Sequence, residues 1–161
     1  MSYVTELMDD FPEVFEQCGL LAFGRGSPGA IDEDSVQIFT TDPAKLHDHT
    51  DEIEIHSPTL ASTKWWPGAL GRTANHAIVF ARLLVAGRDL GIHNFLVQIR
   101  DLETHAPLPG VAVGDIGSKI GYNAQDNGFC RFERVRIPRV QMAMRNARLS
   151  RTGEYTTSGS V

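Results

Sequence analysis

The chain has 161 residues, enough for one domain with a single sizeable core, and its 42% hydrophobic and 22% charged residues are ordinary for a globular protein. The formal net charge of −5 argues against non-specific binding to nucleic acid or to anionic membranes, which requires basic surface. No apolar run reaches the roughly 20 residues that span a bilayer. The acidic start MSYVTELMDD does not resemble a signal peptide, and Cys18 and Cys130 are too few for a disulfide scaffold. We therefore expect free thiols and a soluble intracellular protein.

The first 20 residues carry a helical pattern. Apolar side chains recur at spacings of three and four at Tyr3, Leu7, Met8, Phe11, Val14 and Phe15. Pro12 suits the first turn of a helix and Gly19 its end, so the pattern predicts two short helices or one that begins near Asp10. Residues 24–35 are rich in turn formers, and residues 42–54 are acidic and predicted to form a loop or hairpin.

From residue 57 onward the sequence predicts β structure. Five segments follow one another between Gly, Pro and Asn residues: LASTKWW, HAIVFARLLVAG, GIHNFLVQIRDL, PGVAVGD and GFCRFERVRIP. In the third segment Phe95, Val97 and Ile99 are predicted to face one way and Asn94 and Gln98 the other, as in a half-buried strand. The second is apolar on both faces apart from Arg82, which is typical of a central strand. We expect an antiparallel barrel or a strongly curved sheet.

The last predicted strand has two unusual features. Asn127-Gly128 is a strong turn signal ahead of it. Within it, Cys130 and Phe132 share one phase while Val135 and Ile137 share the other, so one extra residue between the pairs predicts a bulge. The polar tail SRTGEYTTSGSV is expected to be disordered.

Motifs that carry chemistry are weak on their own. Residues 24–29 match GxGxxG, but Pro28 and an acidic stretch follow where a dinucleotide fingerprint opens a helix. Five residues with imidazole or carboxylate groups, which can bind a metal ion, lie close together in the sequence: His47, His49, Asp51, Glu54 and His56. They lack a second ligand group at a familiar spacing, so we assign no metal site. No nucleophile elbow, zinc-protease or P-loop motif is present.

Residues 64–83, KWWPGALGRTANHAIVFARL, hold both tryptophans of the chain, Trp65 and Trp66. This stretch resembles the middle domain of peroxisomal acyl-CoA oxidases, within the acyl-CoA dehydrogenase superfamily. Four elements carry the resemblance: KWWPG, the segment HAPLPGVAVGDIGSKIGY, the DNG turn and RIPR. It covers roughly residues 55–155, about two thirds of the chain.

The resemblance implies a mainly β fold, a small antiparallel β-barrel that packs between helical domains and follows a short helical N-terminal segment. It divides the chain into a divergent segment at 1–35, a flavin-binding domain at 36–149 and a polar tail at 150–161. The family binds FAD, with the flavin ring against KWWPG. This implies cofactor contacts from Trp65, Trp66, Pro67 and Gly68, with Trp65 packed inside the barrel and Trp66 beside the isoalloxazine. The alternative is that both indoles merely fill the barrel and its helical interface.

The family also approaches flavin through a TELGHGS-like loop. Thr5-Glu6-Leu7 matches its first half, while Gly24 to Ser27 resembles its second half. Either Thr5 is the flavin-contacting threonine and an insertion follows, or residues 24–27 form the loop and the threonine is lost.

The resemblance implies oxidation of acyl-CoA to 2-trans-enoyl-CoA, with oxygen reduced to hydrogen peroxide, in peroxisomal fatty-acid β-oxidation. The catalytic glutamate of the family lies in a C-terminal helical domain that this chain does not reach, so we assign no catalytic residue. Implied partners are acyl-CoA, the helical domains and a second subunit of a homodimer, with no nucleic acid and no membrane. The chain carries no SKL-like C-terminal signal. The alternative is a non-catalytic fragment or interaction module derived from such an enzyme.

Overall fold

The computed structural model of the protein describes residues 37–40 and 50–158. Strands make up most of the regular structure of these residues: β1 (Gln37–Thr40), β2 (Glu52–His56), β3 (Lys64–Gly68), β4 (His76–Val85), β5 (Arg88–Gln98), β6 (Val111–Asp115), β7 (Asn127–Phe132), β8 (Val135–Pro138), β9 (Ala147–Leu149) and β10 (Tyr155–Thr157). Single turns of 3₁₀ helix lie at Leu60–Ser62 and Arg139–Gln141.

The described strands form sheets of five, three and two strands. Their orders are β5-β4-β1-β2-β8, β3-β7-β6 and β10-β9. Neighbouring strands run antiparallel, except that β1 runs parallel to β4. The prediction of a mainly β fold is confirmed, although these pairings do not show a closed barrel.

One hydrophobic core is shared by the two larger sheets. Its members include Ile53, Ile55, Leu83, Phe95 and Val97 from the five-stranded sheet and Val111, Cys130 and Phe132 from the three-stranded sheet. Phe95 and Val97, with Ile99 just beyond the strand, are fully buried as predicted, but Leu96 between them is buried too, so this end of β5 is covered on both faces. Burial of each such side chain contributes about 1.5–3 kcal/mol, and this packing holds the two sheets together.

Strand β4 is central, as its apolar sequence predicts, and lies between β5 and β1. It joins β5 through the two-residue turn Ala86-Gly87, whose φ angles of 49° and 76° are both positive. Such a turn matches the twist of antiparallel strands, and glycine adopts positive φ at little cost.

The segment predicted as one last strand is two strands. β7 ends at Phe132 in the three-stranded sheet, and β8 begins at Val135 in the five-stranded sheet. Between them the chain turns at Arg134, whose φ is 49°. The extra residue therefore marks a crossing between sheets rather than a bulge. The crossing lets Phe132 and Ile137, which lie in opposite phases of the sequence, both reach the shared core.

The expectation of a disordered tail is wrong for residues 150–158. β9 and β10 form an antiparallel hairpin. The hairpin is tied to the rest of the protein by Arg139, which donates to the Leu149 carbonyl at 2.7 Å, and by the Tyr155 hydroxyl, which lies 2.9 Å from Nε2 of His93. A polar segment is thus ordered by contacts with residues remote in sequence.

Several predictions fall outside the described residues. These are the N-terminal helices, Cys18, His47 and His49, and both candidate flavin loops at Thr5 and at residues 24–27. Within residues 37–40 and 50–158, no helix has the length and hydropathy of a membrane span.

The environment of Cys130 leads to a testable expectation about its reactivity. Cys130 is a free cysteine, and its burial raises the pKa of the thiol to about 12. Because the thiolate is the reactive form, iodoacetamide at pH 8 should modify Cys130 only after denaturation, as measured by mass spectrometry on a Cys18→Ser variant. The contribution of the neutral thiol to the free energy of unfolding is fully present below the ordinary pKa of 9.0. It is lost as the pH rises toward 12. Rapid labelling of the native chain would contradict this environment.

Candidate functional site

Strand β3 carries the KWWPG sequence along one edge of the three-stranded sheet. Trp65 lies opposite Phe129 and Gly68 lies opposite Asn127, which leaves two β3 residues opposite Gly128 alone. One extra residue on a strand is a β-bulge, and it breaks the alternation of side chains between faces. At the bulge Trp66 has a φ of 88°, in a left-handed region that costs a non-glycine residue about 1–2 kcal/mol.

Both indoles are exposed, Trp65 by 62% and Trp66 by 50%. The expectation that Trp65 packs inside the barrel is wrong. The register shows why: Lys64 lies opposite the buried Cys130, so Trp65 shares the other face with Phe129. Its indole stacks on the Phe129 ring, with centroids 6.3 Å apart and planes inclined by 20°. Neither tryptophan fills the interior, and the outer face of this sheet carries an aromatic pair.

Gly68 lies in open space at the end of β3. A Cβ atom built on Gly68 would have no heavy atom within 4 Å, apart from its own chain neighbours. Pro67 beside it is half-buried and has no backbone N–H. A flat ring could therefore approach the Gly68 backbone with the exposed indole of Trp66 close by. The residues present fit an aromatic cofactor at this position.

A carboxylate from the loop before β7 holds the loop that follows KWWPG. Oδ2 of Asp126 accepts hydrogen bonds from the backbone N–H of Arg72 at 2.9 Å, from that of Thr73 at 2.8 Å and from the Thr73 hydroxyl at 2.7 Å. Partial burial acts to raise the pKa of Asp126, but these hydrogen bonds outweigh it and the pKa is lowered. Asp126 is thus an ionised anchor for residues 72 and 73.

The next two residues hold the KWWPG segment itself. Asn127 is buried, and its Nδ2 donates to the carbonyl oxygen of Trp66 at 2.8 Å. Gly128 lies so close to the next loop that a Cβ atom there would be 2.3 Å from the backbone N of Gly71. Asn127 and Gly128 are the start of β7 rather than the turn that the sequence predicts. We call Asp126, Asn127 and Gly128 the DNG clamp.

A buried cation supports the same loop from the interior. Arg100 is 4% exposed, and its guanidinium donates to the carbonyl oxygens of Ala74 at 2.5 Å, Gly71 at 2.9 Å and Leu70 at 3.1 Å. Burial lowers the pKa of Arg100, while the nearby Asp126 opposes this change. An arginine stays protonated at neutral pH even so. Arg100 therefore fixes residues 70–74, which follow KWWPG after a single residue.

Asp51, one residue of the stretch considered for metal binding, forms ion pairs. Arg139 donates to both carboxylate oxygens of Asp51, at 2.6 and 3.1 Å, and Nε of Arg151 donates to Oδ2 at 3.0 Å. The hydrogen bond from Arg139 is the main cause of the lowered pKa of Asp51. Across the described ranges, no group of three or more His, Cys, Asp and Glu side chains is arranged to hold a metal ion.

Sequence reasoning missed the supporting residues of this site. Local composition indicated a turn at Asn127-Gly128, and it assigned no role to Asp126 or Arg100. One signal was present: Arg100 directly follows the apolar run of β5, where a charge must be paired with buried acceptors. The identity of those acceptors depends on the fold.

Comparisons with known proteins agree with this architecture. No protein-family model matches the chain. Peroxisomal acyl-coenzyme A oxidase 1 of Arabidopsis thaliana is 56% identical over 112 residues, which are 68% of this chain and 17% of that protein. The structure of Arabidopsis thaliana acyl-CoA oxidase 1 matches 95% of this chain and 23% of its own, with a TM-score of 0.78 and 42% identity.

A second structural match carries ligands. It is acyl-CoA oxidase-2 of Caenorhabditis elegans, solved with FAD, ascaroside-CoA and ATP, which matches 96% of this chain and 23% of its own at a TM-score of 0.77 and 35% identity. The similar proteins are thus oxidases by name, and the fold of this chain recurs in their structures. The chain belongs to the acyl-CoA oxidase family. It spans about 17% of the length of the curated relative it matches.

Proposed function

We propose that this chain is the FAD-binding β domain of a peroxisomal acyl-CoA oxidase, which oxidises acyl-CoA to 2-trans-enoyl-CoA and reduces oxygen to hydrogen peroxide. The observation that carries the proposal is that strand β3 exposes two indoles, that of Trp66 at the bulge and that of Trp65 just before it, beside the unobstructed Gly68. The identity to peroxisomal oxidases supports the reaction and the location. The FAD in the Caenorhabditis elegans structure supports the choice of cofactor.

Four residues of β3 would hold the flavin. The backbone at Gly68 would lie against the ring system, since no side chain obstructs it. The indoles of Trp66 and Trp65, with Pro67, would form an apolar wall that excludes water. When bound, FAD supplies the acceptor for the hydride that leaves the acyl chain. The chain's own contribution is orientation and shielding of that acceptor.

Other parts of the site are assigned by resemblance. Thr5 or the loop at residues 24–27 would provide a further flavin contact. The general base would be a glutamate of a C-terminal helical domain, and we assign that role to no residue of this chain. Helical domains of the same enzyme and a second subunit would cover the exposed Trp65–Phe129 pair, as expected for apolar surface of this kind.

We also propose that the two larger sheets form a small closed β-barrel in the complete domain. Their shared core supports this arrangement. The domain would extend over residues 36–149, with a divergent segment at 1–35 and a polar tail at 150–161, of which β10 packs back through Tyr155.

One observation favours a different function, a non-catalytic interaction module. The aromatic pair on the outer face could bind a helical partner without any cofactor, because large exposed aromatic surface often marks an interface. Measured affinity for FAD distinguishes the two functions, since only the flavin domain requires it.

The flavin proposal is tested by titrating the full chain with FAD while following tryptophan fluorescence. Both tryptophans lie in KWWPG, so their emission reports on this segment alone. We expect saturable quenching with weak affinity, because one wall of the site is present. Trp66→Phe should remove a large part of the quenching and weaken binding about tenfold, equivalent to about 1.4 kcal/mol.

The matched control is Tyr122→Phe, which changes an exposed aromatic residue outside β3 and should leave the titration unchanged. If equilibrium dialysis detects no FAD bound to the wild-type chain at millimolar concentration, the flavin proposal is wrong. In that case the interaction module becomes the better account.

A further inference from the structure

We propose that Asn127 is a positioning residue for the cofactor, which acts through Trp66. This inference rests on the proposed flavin function of KWWPG. Nδ2 of Asn127 donates to the Trp66 carbonyl oxygen at 2.8 Å, at the one residue of β3 whose φ is positive. The side chain thus holds a backbone conformation that a tryptophan does not favour.

The register shows why a side chain is required here. In a regular antiparallel pair each strand residue finds a partner on the neighbouring strand, but the bulge places Trp66 and Pro67 opposite the single residue Gly128. The amide of Asn127 supplies a donor to the bulged residue. Asn127 is only 7% exposed, so water competes little for this hydrogen bond.

The oxygen atom of the same side-chain amide accepts no hydrogen bond from the described residues. Oδ1 of Asn127 is buried and has no hydrogen-bond partner among the described residues. The side chain therefore interacts through its N–H group, and that group points to Trp66. Because the backbone of Asn127 already pairs β7 with Gly68, the side-chain bond is an addition to the sheet rather than part of its ladder.

Geometry links this bond to the flavin wall. Trp66 lies between the stacked Trp65 and the open Gly68, so a change in its backbone angles moves the indole relative to the space where the ring would lie. A binding wall must be held in one conformation before the ligand arrives if it is to bind without an added ordering cost. Asn127 would provide that pre-organisation.

The test is Asn127→Asp in the full chain, which keeps the shape of the side chain and replaces the N–H donor by an oxygen facing the Trp66 carbonyl. Asn123→Asp is the matched control, because the Asn123 amide also bonds to backbone, at Lys119, but in an exposed loop. We expect N127D to weaken FAD binding about tenfold and to alter the near-ultraviolet circular dichroism of the tryptophans without FAD. N123D should change neither.

A double-mutant cycle shows whether Asn127 acts through Trp66. In a Trp66→Phe background, N127D should weaken FAD binding by less than threefold, since the indole that it positions is already gone. An equal loss in both backgrounds would overturn the proposal. Unchanged dichroism and unchanged FAD affinity in N127D would do so as well.

Two further outcomes distinguish a failure of the flavin proposal from a failure of the proposed role of Asn127. If wild type binds no FAD, the flavin proposal fails, while the dichroism of N127D still reports whether Asn127 sets the indole conformation. If N127D fails to fold by far-ultraviolet dichroism, Asn127→Ser, which keeps a hydroxyl donor, takes its place. We expect N127S to bind FAD with an affinity between those of wild type and Asn127→Ala, and equal affinities of N127S and N127A would contradict a donor role.

Discussion

Replacing Arg100 by methionine should destabilise the protein by about 3–5 kcal/mol, because it leaves several buried carbonyl oxygens without a hydrogen-bond donor. Methionine fills a similar volume, but it cannot donate to the carbonyl oxygens of Leu70, Gly71 and Ala74 that the guanidinium now satisfies. Each buried acceptor left without a donor costs about 1–3 kcal/mol. Urea denaturation followed by circular dichroism gives the free energy of unfolding of both chains.

Arg136→Met is the matched control for this substitution. Arg136 lies on β8 with a largely solvated side chain and pairs with Glu52 at 3.2 Å. Exposed ion pairs contribute about 0–1 kcal/mol, so R136M should unfold close to wild type. A loss of stability in R100M no greater than that in R136M would show that Arg100 does not support the loop. R100M should also weaken FAD binding, because residues 70–74 follow Gly68 after a single residue.

A second large effect is expected from adding one methyl group to Gly128. Gly128→Ala would place Cβ 2.3 Å from the backbone N of Gly71 and 2.6 Å from the carbonyl carbon of Leu70. Neither backbone atom can move away as a flexible side chain would, so the DNG clamp must open. Overpacking of this kind costs about 1–3 kcal/mol or more, and we expect the upper end.

The same change at Gly68 should have little effect on the fold. A Cβ there meets no heavy atom within 4 Å, so Gly68→Ala should alter the free energy of unfolding by about 0.5 kcal/mol or less. Gly68→Leu should likewise fold, but its side chain would occupy the flavin position and weaken FAD binding by at least about tenfold. Thermal unfolding and FAD titration of G128A, G68A and G68L distinguish the role of Gly128 in packing from the role of Gly68 in cofactor binding. Normal FAD affinity in G68L would place the cofactor elsewhere.

Much of the fold could be predicted from local pattern. The apolar run of β4 correctly predicted a strand with neighbours on both sides, and the pattern in β5 correctly predicted the buried face of Phe95 and Val97 but not the burial of Leu96 opposite them. The pattern also marked the break between Phe132 and Val135, although it could not tell a bulge from a crossing between sheets. Local periodicity records which residues are buried, and it does not record which sheet buries them.

The candidate site was predicted less completely. KWWPG was located correctly as a notable segment, but strict alternation failed at Trp66, directly after Trp65, because one extra residue shifts the register against β7. The hairpin of β9 and β10 was missed for a related reason. A polar segment has no periodic signal, and its order depends on the partners His93 and Arg139 in other elements.

The sequence by itself determined the class of the fold, the family and the location of the tryptophan segment. These depend on composition, on alternation over a few residues and on motifs that are contiguous in the chain. Tertiary structure alone decided that both indoles are exposed and that the DNG residues hold the backbone at Trp66 and the loop that follows KWWPG. The physical reason is distance along the chain: Asp126 and Asn127 bond to residues 54 and 61 positions away, at Arg72 and Trp66. No local propensity records such a contact, and folding is required to create it.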